Sequence, residues 1–586
     1  MSAYSGDAEK GAMGYEGPSS SPSVEIASEY EPAKSSGNIF KRVIDGFKPP
    51  EDISQYEHLT SQERAAIFLG RSKPKLSRRH LMVISLSSCV GTGLFIGSGS
   101  SMIAGGPASL LIGFGVMGIG MICTMATVGE IGVRYPTISI FYEIPARFLH
   151  PSFGFAVGWI YAFCWLVTVP LEMIASAQLT QFWSGDDNSA AKVNPVAWVS
   201  IIWFFDIIIN VSGSRVYGEL EFLIGCIKMS AMIGFIIFSI INVCGGPPTD
   251  HYLGAHNFYN PRPFMNSFKG VIHVLVSCSF AYGGTEVSGL AAAETANPLK
   301  AIPSATRQAF WRILIFFMVG ILMVCFMVGP TTPGLGNSNE GSGSPFLVAI
   351  STTGVYALPS IFNAVIICSV IGVSNAAIYA ATRTLTSLAV KGANLKWFCY
   401  VDREGRPLVS LLAVMIFSCL CFVSASDKYN DVFNWLYAFA ALAFLFAWAS
   451  INLCYLRMYW AFKSQGRSPS SEFVYRSPFG IVGAIIGGGI SIATLGLQFW
   501  IYIWPLGSDP DPEYFFQNDL SVPFFLALLI GHKVWYWKSS TFVSNKDLDL
   551  DSGVRQFDMD ALEATIAEDK EKNRKNPLRM IASYIF

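Results

Sequence analysis

The sequence predicts an all-α polytopic membrane protein of about twelve transmembrane helices, and three observations carry that prediction. The composition is apolar: 52% of residues are hydrophobic, 14% are charged and the mean hydropathy is +0.43. A soluble domain carries about 25% charged residues to face water. Apolar runs long enough to cross about 30 Å of hydrocarbon at about 1.5 Å per residue recur along the chain. Lys and Arg, finally, gather in alternate connections between those runs. A net charge of −1 offers no extended field for nucleic acid, so none is expected as a partner.

The runs fall at residues 82–103, 107–129, 154–183, 196–212, 218–243, 271–293, 310–330, 358–387, 407–424, 431–459, 479–502 and 520–538. The third and eighth are long enough to tilt in the bilayer, and the fourth is short. With the N-terminus inside, the even-to-odd connections and adjoining helix ends hold about fifteen basic residues, from Arg134 and Arg147 to Arg467 and Arg476. The opposite connections hold about four: Lys192, Arg262, Lys269 and Lys428. This positive-inside asymmetry predicts an even number of spans with both termini cytosolic. The basic stretch 71–80 suits an anionic inner leaflet.

Residues 1–80 are polar and hold no apolar core of a signal peptide, so they are expected to be a cytosolic tail, disordered by composition over 1–37. The transporter domain is expected over 81–539 and a charged cytosolic tail over 540–586. The amphipathic stretch 559–570 of that tail can dock on the cytosolic face or remain a solvated regulatory segment. Lys10, Lys34 and Lys41 are candidates for ubiquitin-ligase machinery, as is any cytosolic Lys. The twelve Cys follow neither zinc nor disulfide spacing. Most, such as Cys89, Cys123, Cys164, Cys226 and Cys368, sit singly in apolar runs as small buried hydrophobes.

Chemistry is expected where a span is interrupted, because lipid leaves no water to satisfy the backbone. The first run contains Gly91, Gly93, Gly97 and Gly99 within nine residues, and the sixth contains Gly283 and Gly284 followed by Glu286. Two interrupted helices five spans apart are the pattern of carriers built from inverted repeats. Donors at one break suit a carboxylate and acceptors at the other suit an ammonium, so a zwitterion matches both. The alternative is that these glycines only let helices pack closely.

Beyond the breaks, the run from Arg78 through GTGLFIGSG to Pro107, and the sequence from Glu286 to Pro303 (EVSGLAAAETANPLKAIP), resemble fungal amino acid permeases of the amino acid–polyamine–organocation superfamily. Glu130, Glu172, the Gly218 to Phe222 stretch and Tyr379 to Leu385 are similar to further motifs in the same order. The resemblance covers roughly 75–540. It implies a five-plus-five inverted repeat with two extra C-terminal helices, and amino acid uptake across the plasma membrane in symport with protons. It further implies that Gly91, Thr92 and Gly93 receive the substrate carboxylate, while carbonyls of Phe280, Ala281 and Tyr282 receive its amino group. The ring at 280 or 282 caps the site.

Ionisable groups within spans are functional candidates by default. By the resemblance, Lys228 occupies the place of a sodium ion in sodium-coupled relatives and bridges the first and eighth spans. Glu172 is the candidate for proton coupling or for the substrate amine, and Glu286 the candidate for linking protonation to gate closure. Ser374 and Asn375 are expected to lie against the Lys228 site, and Asp206 to be structural. Arg383 is expected at the cytosolic mouth, paired with Glu130 or Glu294. Phe433, Trp435 and Tyr437 are candidate pocket walls. With no spare cation, the pocket favours neutral or broad-range amino acids.

No metal-binding His cluster, nucleophile elbow or phosphate loop occurs, so neither an enzyme nor a cofactor is expected. A channel needs a continuous polar path, which isolated breaks do not supply. An amino-acid sensor on the same fold is the remaining alternative.

Overall fold

Proline and short polar side chains start several of the helices in the computed structural model. Asn194 and Asp511 each accept a hydrogen bond from the backbone two residues on, and a proline follows each of them at the first helical position. His150 caps the next helix start in the same way, through Ser152 N at 3.1 Å. The structure describes residues 60, 62, 64 and 89–555, apart from 136, 138, 184–192, 248–250, 288–297, 336–342, 404, 427–428, 507–508 and 537–541. Lys10, Lys34, Lys41, the basic stretch 71–80, Lys192, Glu294, Lys428 and the stretch 559–570 lie outside the described residues.

In chain order the helices are α1 (Thr92–Phe95), α2 (Gly97–Arg134), α3 (Ile140–Phe148), α4 (Pro151–Thr180), α5 (Pro195–Val211) and α6 (Ser214–Val243). Then come α7 (His256–Tyr259), α8 (Ser267–Tyr282), α9 (Pro298–Arg312), a π-helical stretch (Ile313–Val319), α10 (Gly320–Met327), α11 (Pro345–Ser351) and α12 (Ala357–Val390). The last are α13 (Leu408–Ser418), which tightens into a 3-10 turn (Cys419–Ala425), α14 (Tyr429–Ser464), α15 (Pro469–Glu472), α16 (Gly480–Ile503), α17 (Pro512–Asp519) and α18 (Ser521–Trp535). No strand occurs among the described residues.

Among the described residues, eight helices are long and apolar enough to cross a membrane, or nine if α17 and α18, bent by 67°, make one span. The shortfall from twelve has local causes. Gly106, at φ 81, and Pro107 kink α2 just where the first two apolar runs were expected to part. Helix α5 has only 17 residues, and α8 stops after 16 at Gly283.

Helices α4 and α14 form the centre, each with 83% of its apolar window buried, whereas α6 and α16 bury 33%. Helix α8 lies along α2, and α12 and α14 lie along α4. The outward faces are apolar and the inward ones carry the polar groups. On α6 the buried stripe is Tyr217, Glu221, Ile224, Lys228, Met232 and Phe235, while Leu223, Ile227, Ile233 and Ile237 point out. That spacing of three and four is one side of a helix, and it turns both charges inward. All twelve Cys are free thiols; Cys89, Cys123 and Cys164 are buried, but Cys226 and Cys368 correct the expectation by lying on the apolar outer surface.

Candidate functional site

The two interrupted helices meet. Helix α1 begins after Gly91 and runs only to Phe95, and α8 ends at Tyr282. A Cβ on Gly93 would stand 2.6 Å from the Ala281 Cα, so only glycine allows the two backbones this approach. Thr92 donates its hydroxyl to Glu172 Oε2 at 2.5 Å. Glu172, on α4, therefore reaches the break through Thr92, while its Oε1 has no hydrogen-bond partner. Gly91, Thr92, Gly93, Glu172, Phe280 and Trp165 help line a cavity of about 10 Å³. That is room for about one water molecule.

Phe280 closes one wall of this cavity and packs on Tyr437 with ring centroids 4.6 Å apart. Tyr437 in turn lines a larger cavity of about 340 Å³ with Gln178, Asn430, Phe433 and Asn434. The ring pair is the partition between the two spaces. Tyr282 faces elsewhere: its hydroxyl donates to Phe114 O at 2.9 Å and its ring packs on Phe317. Of the two rings offered by the sequence, Phe280 is the one at the cavity. Phe433 and Tyr437, one turn apart, line the larger space, and Trp435, on another side of the helix, does not.

Lys228 reaches the first break, with Nζ 3.4 Å from Val90 O and 4.0 Å from Glu221 Oε1, each side chain 1% exposed. Glu221 was not singled out from sequence. Its signal was the spacing of seven residues from Lys228, two turns along one helix face. Gly372 on α12 makes room for it, since a Cβ there would be 3.2 Å from Glu221 Oε2. Glu286, buried just past the α8 break, accepts from the Tyr161 hydroxyl at 3.4 Å.

Ser374 and Asn375 require a correction. They turn to Asp206 on α5, donating to Oδ2 at 2.7 Å and Oδ1 at 2.8 Å. Positions 374 and 375 lie about 200° and 300° around a helix from Gly372, which faces the Lys228 side. The expected ion pair of Arg383 with Glu130 is also absent. The Arg383 guanidinium sits 3.6 Å over the Tyr379 ring, and Glu130 accepts from Tyr455 Oη at 2.6 Å and Ser477 N at 2.8 Å.

The end of the bundle formed by α2, α3 and α14 is closed by the chain itself. Residues 543–555 lie across it as a strap. Arg147 donates to Asp549 O at 2.8 Å and Ser552 O at 2.6 Å, and Arg457 to Val543 O and Asn545 Oδ1. Tyr135 Oη donates to Leu550 O at 2.7 Å, and Arg467 pairs with Asp551 at 2.9 Å. Leu548 and Leu550 are buried beneath. The basic residues read as topology signals thus also hold the start of the C-terminal tail.

The profile of the amino acid permease family matches residues 80–544. Similar proteins include the general amino-acid permease GAP2 of Candida albicans, 41% identical over 91% of this chain and 90% of that protein. The general amino-acid permease GAP1 of Saccharomyces cerevisiae is 37% identical over 91% of this chain and 89% of its own. Cationic amino acid transporter 1 of Schizosaccharomyces pombe is 39% identical over 89% and 86%.

Proposed function

The chain belongs to the amino acid permease family, and from that premise we propose that it imports amino acids across the plasma membrane by proton symport and alternating access. The domain crosses the bilayer twelve times in this reading. The eight long helices, the bent pair, α5 and α8 each cross once, and Gly106 divides α2 into two crossings. The crossings form a five-plus-five inverted repeat with two added helices, between a cytosolic tail over 1–80 and another over 540–586.

The bond between Thr92 and Glu172 carries the mechanism. Gly91, Thr92 and Gly93 offer the substrate carboxylate their backbone N–H groups, and the carbonyls of Phe280, Ala281 and Tyr282 take its amino group. Glu172 now occupies that cradle. Two carboxylates cannot share it in a water-poor site, so Glu172 must be protonated for the substrate to enter. Proton and amino acid then bind together, which is symport. Phe280, backed by Tyr437, is the thin gate. Lys228 with Glu221 holds the first break from behind, and Glu286 links protonation to the α8 hinge. Among the described residues the cavity lining carries no cation, which favours neutral or broad-range substrates, in keeping with relatives named as general permeases.

The test is uptake of one labelled amino acid against all twenty competitors at two pH values, with Glu172→Gln beside the wild type. Wild-type uptake should be saturable, stronger at the lower pH and abolished by an uncoupler. Glu172→Gln should lose concentrative uptake. Concentrative uptake by Glu172→Gln at the wild-type level would sink the coupling role. Nutrient signalling with no uptake above background would make the chain a sensor instead.

A further inference from the structure

Asp206 is the buried carboxylate that this mechanism leaves unused. Helix α5 turns a stripe of Val199, Ile202, Asp206 and Ile209 onto the bundle and leaves most of its remaining side chains outward or half-buried. An acid thus sits in an otherwise apolar seam, where ionisable groups are costly and rare. Both its oxygens are engaged, by Ser374 and Asn375, and Asn210 on the next turn of α5 donates to Asn375 Oδ1 at 2.8 Å.

No cation pairs with it among the described residues. The elements packed on α5 are α4, α6, α12, α13 and the 3-10 turn Cys419–Ala425. The turn brings the thiol of Cys421 into its field, and α13 carries no charge. The single charge of α4 is Glu172, engaged by Thr92. Helix α6 carries Arg215, Glu219, Glu221 and Lys228, of which the last two face each other. The charge of α12 is Arg383, which lies over Tyr379.

This shell serves both charge states. The ionised carboxylate accepts from Ser374 and Asn375. Once protonated, its O–H donates to Ser374 Oγ, whose own hydrogen turns back to a carbonyl of α12, as serine does within helices. The bond from Asn375 persists throughout. A proton can therefore come and go without dismantling the network, whereas a Lys or Arg partner would hold one state.

The network also reaches the site. Along four consecutive positions of α12, Gly372 faces Glu221, Val373 packs on Gly91, and Ser374 and Asn375 hold Asp206. Any change in the grip on 374 and 375 moves the two residues that touch the first break and its cationic support.

We propose that Asp206 is a second proton-carrying carboxylate of the transport cycle. It takes a proton from the aqueous phase on one side and returns it on the other, and its charge sets how firmly α5 holds α12 behind the substrate cradle. The proposal rests on the symport reading. Its test is Asp206→Asn, a neutral isostere, in the full-length protein reconstituted in vesicles. Exchange of labelled for unlabelled amino acid should stay within about twofold of wild type, while accumulation driven by an imposed pH gradient falls at least about tenfold. Ser374→Ala removes a donor to the ionised form and should move the pH midpoint of uptake upward, which a purely structural role would not do. Wild-type accumulation by Asp206→Asn overturns the proposal, as does loss of exchange and accumulation together in a properly folded variant. If Asp206→Asn does not fold, an unshifted midpoint in Ser374→Ala overturns it. A wild type that ignores the pH gradient would refute the symport reading itself, a result distinct from both.

Discussion

The helix break inside the bundle and the rim under the strap are held by different kinds of contact. At the break the charges are buried: Glu172 meets Thr92, Glu286 meets Tyr161, and Lys228 reaches Val90 and Glu221 at 3.4 and 4.0 Å. At the rim, Arg134, Arg147, Arg457 and Arg467 each engage two or more acceptors, many of them on the strap. Away from water a single bond carries much free energy, so a few groups can switch a state. The pairs of Arg147 and Arg467, which are 21% and 29% exposed, each contribute little, and closure there has to come from number.

The largest effect that would break this contrast is at Gly93. Gly93→Ala pushes a methyl into the Ala281 backbone, and misplacing the cradle by an ångström should cost about 100-fold or more in uptake at equal surface level. Gly489→Ala, with nothing within 4 Å, is the matched control and should transport normally. Normal uptake by Gly93→Ala would mean the two breaks do not need their close contact.

Lys228→Ala comes next, because it removes the buried cation that faces Glu221. Losing one member of a buried pair costs about 3–5 kcal/mol, and the loose 4.0 Å separation points to the lower end. Thermal unfolding in detergent should show a clear drop, partly restored in Lys228→Met with Glu221→Gln. A loss in the double variant equal to the sum of the losses in Lys228→Met and Glu221→Gln alone would show that the two charges are not coupled.

At the rim the effects should be small. Arg147 is 21% exposed, so Arg147→Ala should cost at most about 1 kcal/mol, read as faster hydrogen exchange over 543–555 and more so at low salt. Burial alone would raise the Asp549 carboxyl, but bonds from Ser552 and the backbone, with Arg147, outweigh it and hold the group below its ordinary value. A depressed carboxylate contributes stability at neutral pH that is lost as pH falls through its folded value. Protection of the strap should therefore persist down to about pH 4 and fade only below it. Fading near pH 6 would assign the closure to other groups.

Much of this architecture was legible because hydropathy and basic flanks are local properties. The glycine clusters at 91–99 and 283–284 marked the places where the helices do stop, and Gly106 with Pro107 marked the kink between the first two runs. The partners of the buried groups were less legible. Ser374 and Asn375 were placed with Lys228 and lie with Asp206; Arg383 was given Glu130 and covers Tyr379 instead. Each residue advances about 100° around a helix, so a modest rotation exchanges one neighbour for another.

Sequence alone determined the helical membrane class, the family and the two interruptions, because these depend on composition, chain-local order and the steric freedom of glycine. Tertiary structure decided that Phe280 rather than Tyr282 faces the cavity, that Glu221 faces Lys228, and that residues 543–555 close over the arginines at one end of the bundle. Those choices follow from how neighbouring helices are rotated and how deeply they pack. Residues far apart in the chain set both.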